Sequence, residues 1–187
     1  PTIGMVGLLE DIDLHTTLDF KHAGDSIYLL GNVTNDIASS EYLRLIHGIQ
    51  YSPAPQFDLI EEYELQKLLM QVIREGLIES AHDVSEGGLF VTLMESAMVR
   101  GLGFDIETME TFRKDAFLFG ESQSRVVISV GPHKEDQLLN LLSRNHVSFI
   151  RLGEVTEGDL LIDGEDFGKI SEWKKVYDTR LEQVLEQ

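Results

Sequence analysis

Apolar positions along the chain fall into two rhythms, short near-continuous runs and longer stripes with helical spacing. The opening run Ile3-Gly4-Met5-Val6-Gly7-Leu8-Leu9 reads as a buried strand. Gly24 and Asp25 punctuate a turn before Ser26-Ile27-Tyr28-Leu29-Leu30-Gly31, a second strand. Ser39 or Ser40 is placed to cap a short helix carrying Tyr42, Leu43, Leu45 and Ile46. Two of the four prolines fall in 50–58, which reads as a loop. Leu65, Leu68, Leu69, Val72 and Ile73 then form one stripe of an amphipathic helix that stops near Gly76.

Beyond that helix the two rhythms alternate. Ile78 to His82 predicts a short strand, and Ser85 a cap for a helix over about 87–100 that buries Leu89, Phe90, Leu93, Met94, Ala97 and Met98. Phe104 to Glu107 alternates like a strand, and Arg125 to Val130, β-branched and bounded by Gly131-Pro132, is the clearest strand of all. His133 to Asn145 predicts a helix, Phe149 to Val155 and Leu160 to Ile162 predict strands, and Trp173, Val176, Tyr177, Leu181, Val184 and Leu185 predict a final helix. Strands alternating with helices define an α/β or α+β class, with helices packed on a mixed sheet. With no repeat and no internal linker, residues 1–187 are expected to form a single domain.

Charge narrows the choice of partners. Thirty-three acidic residues against fifteen basic ones give a net charge of −18. Such a surface repels a phosphate backbone and an anionic membrane, so neither nucleic acid nor membrane is an expected partner. Small phosphorylated ligands stay open, because backbone N–H groups and Mg²⁺ handle them locally. The chain has no cysteine, which removes thiol chemistry and disulfides and fits a reducing cytoplasm. It starts at Pro1, and the expectation is a piece of a longer polypeptide.

Two segments carry candidate chemistry. Ala81-His82-Asp83-Val84-Ser85-Glu86-Gly87-Gly88-Leu89 lies between a predicted strand and a predicted helix. Gly87 and Gly88 would let a helix N-terminus approach an anion, Asp83 could hold Mg²⁺ against phosphate oxygens, and Ser85 could donate to the same phosphate. The alternative is a capped helix with a tight glycine turn. The segment is neither a Walker A loop nor a G-x-G-x-x-G fingerprint. Phe119-Gly120-Glu121-Ser122-Gln123-Ser124-Arg125 precedes the clearest strand, and Glu121, Ser122 and Gln123 offer a carboxylate, a hydroxyl and an amide to a polar ligand. A solvated turn feeding the strand is the other reading. His82 and Asp83 are neighbours on a strand and so point to opposite faces, which makes a structural His82 the expectation. Asp11 and Asp13, with Glu10, could chelate a cation, but an exposed acidic turn is the expectation.

Together with the opening Pro1 to Asp11, these two segments give the chain a resemblance to the C-terminal domains of phosphoribosylformylglycinamidine synthases, within the aminoimidazole ribonucleotide synthetase-like superfamily. Order and separation of the three stretches match across nearly the whole chain. The resemblance implies a three-layer α/β/α fold with a mixed central sheet. It implies a domain of an ATP-dependent ligase of purine biosynthesis that amidates formylglycinamide ribonucleotide. ATP/ADP and Mg²⁺ would be the cofactors. The remaining synthase domains and a glutamine amidotransferase domain or subunit that supplies ammonia would be the partners. Such synthases contain two N-terminal-type and two C-terminal-type domains. Where the first C-terminal-type copy continues Glu-Ser-Gln-Glu-Arg, this chain has Ser124 before Arg125, so it resembles the second copy. By that resemblance Asp83, Ser85, Gly87, Gly88, Glu121, Ser122 and Gln123 would line a nucleotide or phosphate site, either catalytic or auxiliary, with Asp83 as metal ligand and none of them a catalytic residue. Two other functions stay open: a non-catalytic scaffold around a structural nucleotide, and a domain of another ATP-using relative such as a small-molecule kinase.

Overall fold

In a computed structural model the chain is described over residues 4, 6–9 and 11–185. Seven strands, β1 (Ser26–Leu30), β2 (Ser80–Asp83), β3 (Gly103–Ile106), β4 (Val126–Val130), β5 (Phe149–Thr156), β6 (Asp159–Ile162) and β7 (Glu165–Lys169), form one sheet in the order β2-β4-β1-β5-β3-β6-β7. The β3–β6 pair is parallel and the other pairs of named strands are antiparallel, so the sheet is mixed. Six helices accompany it: α1 (Glu41–Ile46), α2 (Leu59–Arg74), α3 (Gly88–Met98), α4 (Lys114–Phe119), α5 (Glu135–Leu142) and α6 (Ile170–Leu185).

The central strands explain the layers. Every residue of β1 and β4 is buried, because both faces of these strands are covered. Strand alternation sends Ile27, Leu29 and Val127 to a core shared with Leu89 and Leu93 of α3, Phe117 of α4 and Ile170 of α6. It sends Tyr28, Leu30, Ile128 and Val130 to the opposite core, against Leu65, Leu68 and Val72 of α2 and Leu138 and Leu142 of α5. The result is the expected three-layer α/β/α arrangement. Beyond β5 only the first face carries a core, built there from Phe104, Ile106, Leu160 and Ile162.

Most predicted elements are present, with several corrections. Ile3 and Met5 of the opening run lie outside the described residues, but 6–9 form no strand and Val6, Leu8 and Leu9 are exposed. Nothing in the described chain packs on this stretch, so apolarity alone does not make it a strand. Helix α2 starts at Leu59, six residues before its apolar stripe, because Asp58 accepts hydrogen bonds from the N–H groups of Ile60 and Glu61. Ser85 does not cap α3 through its side chain. The cap position is Gly87 in a left-handed conformation (φ 87°), and the turn is closed by the Gly88 N–H donating to the Ser85 carbonyl at 3.0 Å. Helix α4 and strand β7 have no counterpart among the predicted elements.

Candidate functional site

The antiparallel pairing of β2 with β4 brings the two candidate segments together. Asp83, the last residue of β2, stands opposite Val126, the first of β4, so the β2–α3 turn and the loop entering β4 leave the same end of the sheet. The Val84 N–H donates to the Arg125 carbonyl at 2.9 Å and extends the ladder by one rung. β4 lies between β2 and β1 in the sheet, so the loop that enters it runs beside the β2–α3 turn.

Each site residue has a definite environment. Asp83 is exposed, and among the described residues its carboxylate makes no hydrogen bond or ion pair. Ser85 is also exposed. Gly88 is buried with φ 72°, and a Cβ there would sit 2.7 Å from the Gly120 carbonyl oxygen and 2.8 Å from that of Leu118. The glycine therefore serves the close approach of the 118–120 backbone. Glu121 accepts two N–H groups on one carboxylate oxygen, from Gly87 at 2.9 Å and from Glu41 at 2.8 Å. Gln123 clasps the backbone of Asp58, accepting its N–H at 2.7 Å and donating to its carbonyl at 2.8 Å. Ser124 donates to Glu62 at 2.7 Å.

Sequence reasoning missed the residue beneath this loop. Arg125 is only 3% exposed, and its guanidinium donates to the carbonyls of Gly120 at 2.5 Å and Ser122 at 3.3 Å. Burial pulls its pKa down to about 10, and attraction to Glu121 opposes that shift. A buried cation that binds carbonyls rather than a carboxylate holds the loop in shape from below. The signal was available: an arginine at the edge of an otherwise apolar strand core needs internal acceptors.

Ser122 and Gln123 border a cleft of about 190 Å³ shared with Asn32, Thr34, Asp58 and Glu61. A neighbouring hollow of about 340 Å³ is lined by Gly31, Asn32, Asp58, Glu61, Ser124 and His146. Their carboxylates disfavour a bare anion and suit one that carries its own cation. Among the described residues no group of three or more His, Asp or Glu is arranged to hold a metal. A lone exposed Asp83 fits Mg²⁺ as that ion is commonly bound, through one or two carboxylates with the rest of its shell from phosphate and water. His82 faces α3, with Nδ1 3.2 Å from Ser96 Oγ and Nε2 3.5 Å from Glu95, on the opposite side from Asp83. These contacts hold the ring against α3.

A mixed sheet between two helix layers, with two carboxylate-bearing loops at one end, defines an α/β/α domain. The chain belongs to the AIR synthase related protein, C-terminal domain family, whose pattern it matches over residues 22–162. The phosphoribosylformylglycinamidine synthase subunit PurL of Caldanaerobacter subterraneus subsp. tengcongensis is 41% identical over all 187 residues, which make up 24% of that relative. PurL of Moorella thermoacetica is 40% identical over 162 residues, 87% of this chain and 22% of the relative. The chain thus spans about a quarter of the length of the curated relatives it matches. Among solved structures, T. maritima PurL complexed with FGAR superposes with a TM-score of 0.72 at 17% identity, covering 87% of this chain and 30% of that one. Hydrogenase maturation protein HypE in complex with ATP gives a TM-score of 0.57 at 16% identity, covering 84% of this chain and 54% of that one. At these identities the superpositions speak for the fold.

Proposed function

We propose that this chain is the second C-terminal-type domain of a PurL-type phosphoribosylformylglycinamidine synthase. In that role it works in the cytoplasm within an ATP-dependent ligase that amidates formylglycinamide ribonucleotide, with ammonia drawn from glutamine by an amidotransferase partner. The observation that carries the reading is the 41% identity to a PurL subunit, sustained over all 187 residues. The solved PurL structures with ATP and with ADP share this fold, which supports a nucleotide as the ligand.

Within this reading the two loops form a nucleotide half-site. Asp83 would hold Mg²⁺, which neutralises phosphate charge, and the glycine turn would offer the anion the Gly87 N–H that Glu121 accepts in the free chain. Ser122 and Gln123 border a cleft that Asp83, Ser85, Gly87 and Gly88 do not line. None of these residues is assigned a bond-making role.

Calorimetric titration of MgADP into the chain tests the half-site. Saturable binding is expected, with at least a tenfold loss of affinity in Asp83→Ala at an unchanged melting temperature, about 1.4 kcal/mol of binding energy. An Asp83→Ala variant that binds as well as the parent overturns the site. A second reading, a scaffold that holds its neighbours around a structural nucleotide, is favoured by the clasp that Gln123 makes on Asp58. In the longer synthase, Asp83→Ala with normal turnover and a lower melting temperature would support the scaffold.

A further inference from the structure

The α3 turn already holds an anion, and it comes from the chain itself. One oxygen of Glu121 receives the Gly87 N–H at 2.9 Å and the Glu41 N–H at 2.8 Å, so a single carboxylate ties the glycine turn to the first residue of α1. Among the described residues no cation is paired with Glu121, since the buried guanidinium of Arg125 is spent on the Gly120 and Ser122 carbonyls. The carboxylate is thus held by backbone donors and by the more diffuse field of Arg125, which a phosphate oxygen could equally use.

What Glu121 holds down is weakly attached. Helix α1 has six residues, none of them buried. Its other anchors are the Ser40 cap on Leu43 and the stacking of Tyr42 on Phe119, whose rings lie 5.1 Å apart and 7° from parallel. Elements with so little buried surface open at low free energy. Glu41, Arg44 and Glu86 sit at this junction, and Arg44 pairs with Glu41 while feeling the charge of Glu86.

Resting on the nucleotide reading of this site, we propose that Glu121 is a built-in competitor for phosphate. A nucleotide phosphate that takes the Gly87 N–H displaces the Glu121 carboxylate, and the displaced side chain lets go of Glu41, so occupancy of the site releases α1 from the α3 turn. Two anions cannot share one N–H at hydrogen-bond distance, because their mutual repulsion in a partly buried setting exceeds what one donor returns. The segment 32–58, which carries α1 and borders the cleft through Asn32, Thr34 and Asp58, then reports ligand binding to whatever lies on its outer side.

Amide hydrogen exchange of 41–46 and calorimetry with MgADP, on the chain and on Glu121→Gln, test this directly. MgADP is expected to speed exchange of the α1 amides in the parent chain, and Glu121→Gln is expected to bind MgADP about tenfold more tightly because the competing charge is gone. Glu121→Asp, one methylene too short to span both N–H groups, should shift affinity in the same direction and serves if the Gln variant folds poorly. MgADP binding that leaves α1 exchange unchanged, or variants that bind no better than the parent, overturn the competitor role while the half-site stands. Absence of MgADP binding in parent and variants alike overturns the half-site, and the competitor with it.

Discussion

Gly88 concentrates the constraints on the site into one position. Its φ of 72° lies in the left-handed region, and the two carbonyls at 2.7 and 2.8 Å from a notional Cβ belong to backbone that cannot swing away. Gly88→Ala is expected to destabilise the chain by about 3 kcal/mol, through backbone strain and overpacking together, read as a fall in the denaturation midpoint. Asp25 presents the opposite case. It is 3% exposed, and its Oδ2 has no hydrogen-bond partner among the described residues. Burial raises its pKa above the ordinary 3.8, the His22 ring 3.7 Å away lowers it, and Glu79 raises it again, leaving a net upward shift. A folded-state pKa above the unfolded one means that Asp25 contributes stability when protonated and that this contribution is lost as pH rises through the raised value. Asp25→Asn is therefore expected to stabilise the chain at pH 7 by about 1 kcal/mol and to flatten that part of the stability–pH curve. Equal stability of parent and variant at both pH 4 and pH 7 would contradict the assignment.

At the scale of elements, α6 separates what periodicity announces from what it cannot. The spacing of Trp173, Val176, Tyr177, Leu181, Val184 and Leu185 predicts the helix, and the helix is there, yet its only buried residue is Ile170. Trp173 meets Phe90 edge-on at 5.7 Å, and beyond it the apolar stripe runs exposed. Leu181→Glu with Leu185→Glu should accordingly change the unfolding free energy of this chain by less than about 0.5 kcal/mol. A drop several times larger would show that the stripe is packed. Other elements were hidden for local reasons. In α4 the buried residues Ala116, Phe117 and Leu118 are consecutive within six residues, too short a span for a helical period to register. Strand β7, Glu165 to Lys169, is a polar edge strand without alternation, but Asp163-Gly164, both at positive φ (53° and 73°), was a readable hairpin turn. The start of α2 was missed because Leu59 and Ile60 are exposed and lie off the stripe formed by Leu65, Leu68 and Val72.

For the whole molecule, the α/β/α class was legible because β1 and β4 are apolar throughout while the helices carry stripes. The strand order was not, since the pairing of β1 with both β4 and β5 joins residues 96 to 128 positions apart and leaves no local trace. The site was legible in part for the same reason. Its two loops stood out by residue type, but their meeting depends on β2 lying against β4, and the inward work of Gly88, Glu121 and Gln123 depends on that meeting. Arg125, the buried support of the second loop, was visible only as the end of a motif. Family membership and 41% identity to a PurL subunit over all 187 residues support the proposal that this chain works as one part of a larger synthase. The most direct test is a chimera in which this chain replaces the matching segment of the Caldanaerobacter PurL subunit. ATP hydrolysis that depends on both formylglycinamide ribonucleotide and ammonia is predicted to persist at a rate within about tenfold of the parent, a loss of no more than ~1.4 kcal/mol in the barrier. A chimera that folds and assembles normally yet shows no such ATP hydrolysis would contradict the account.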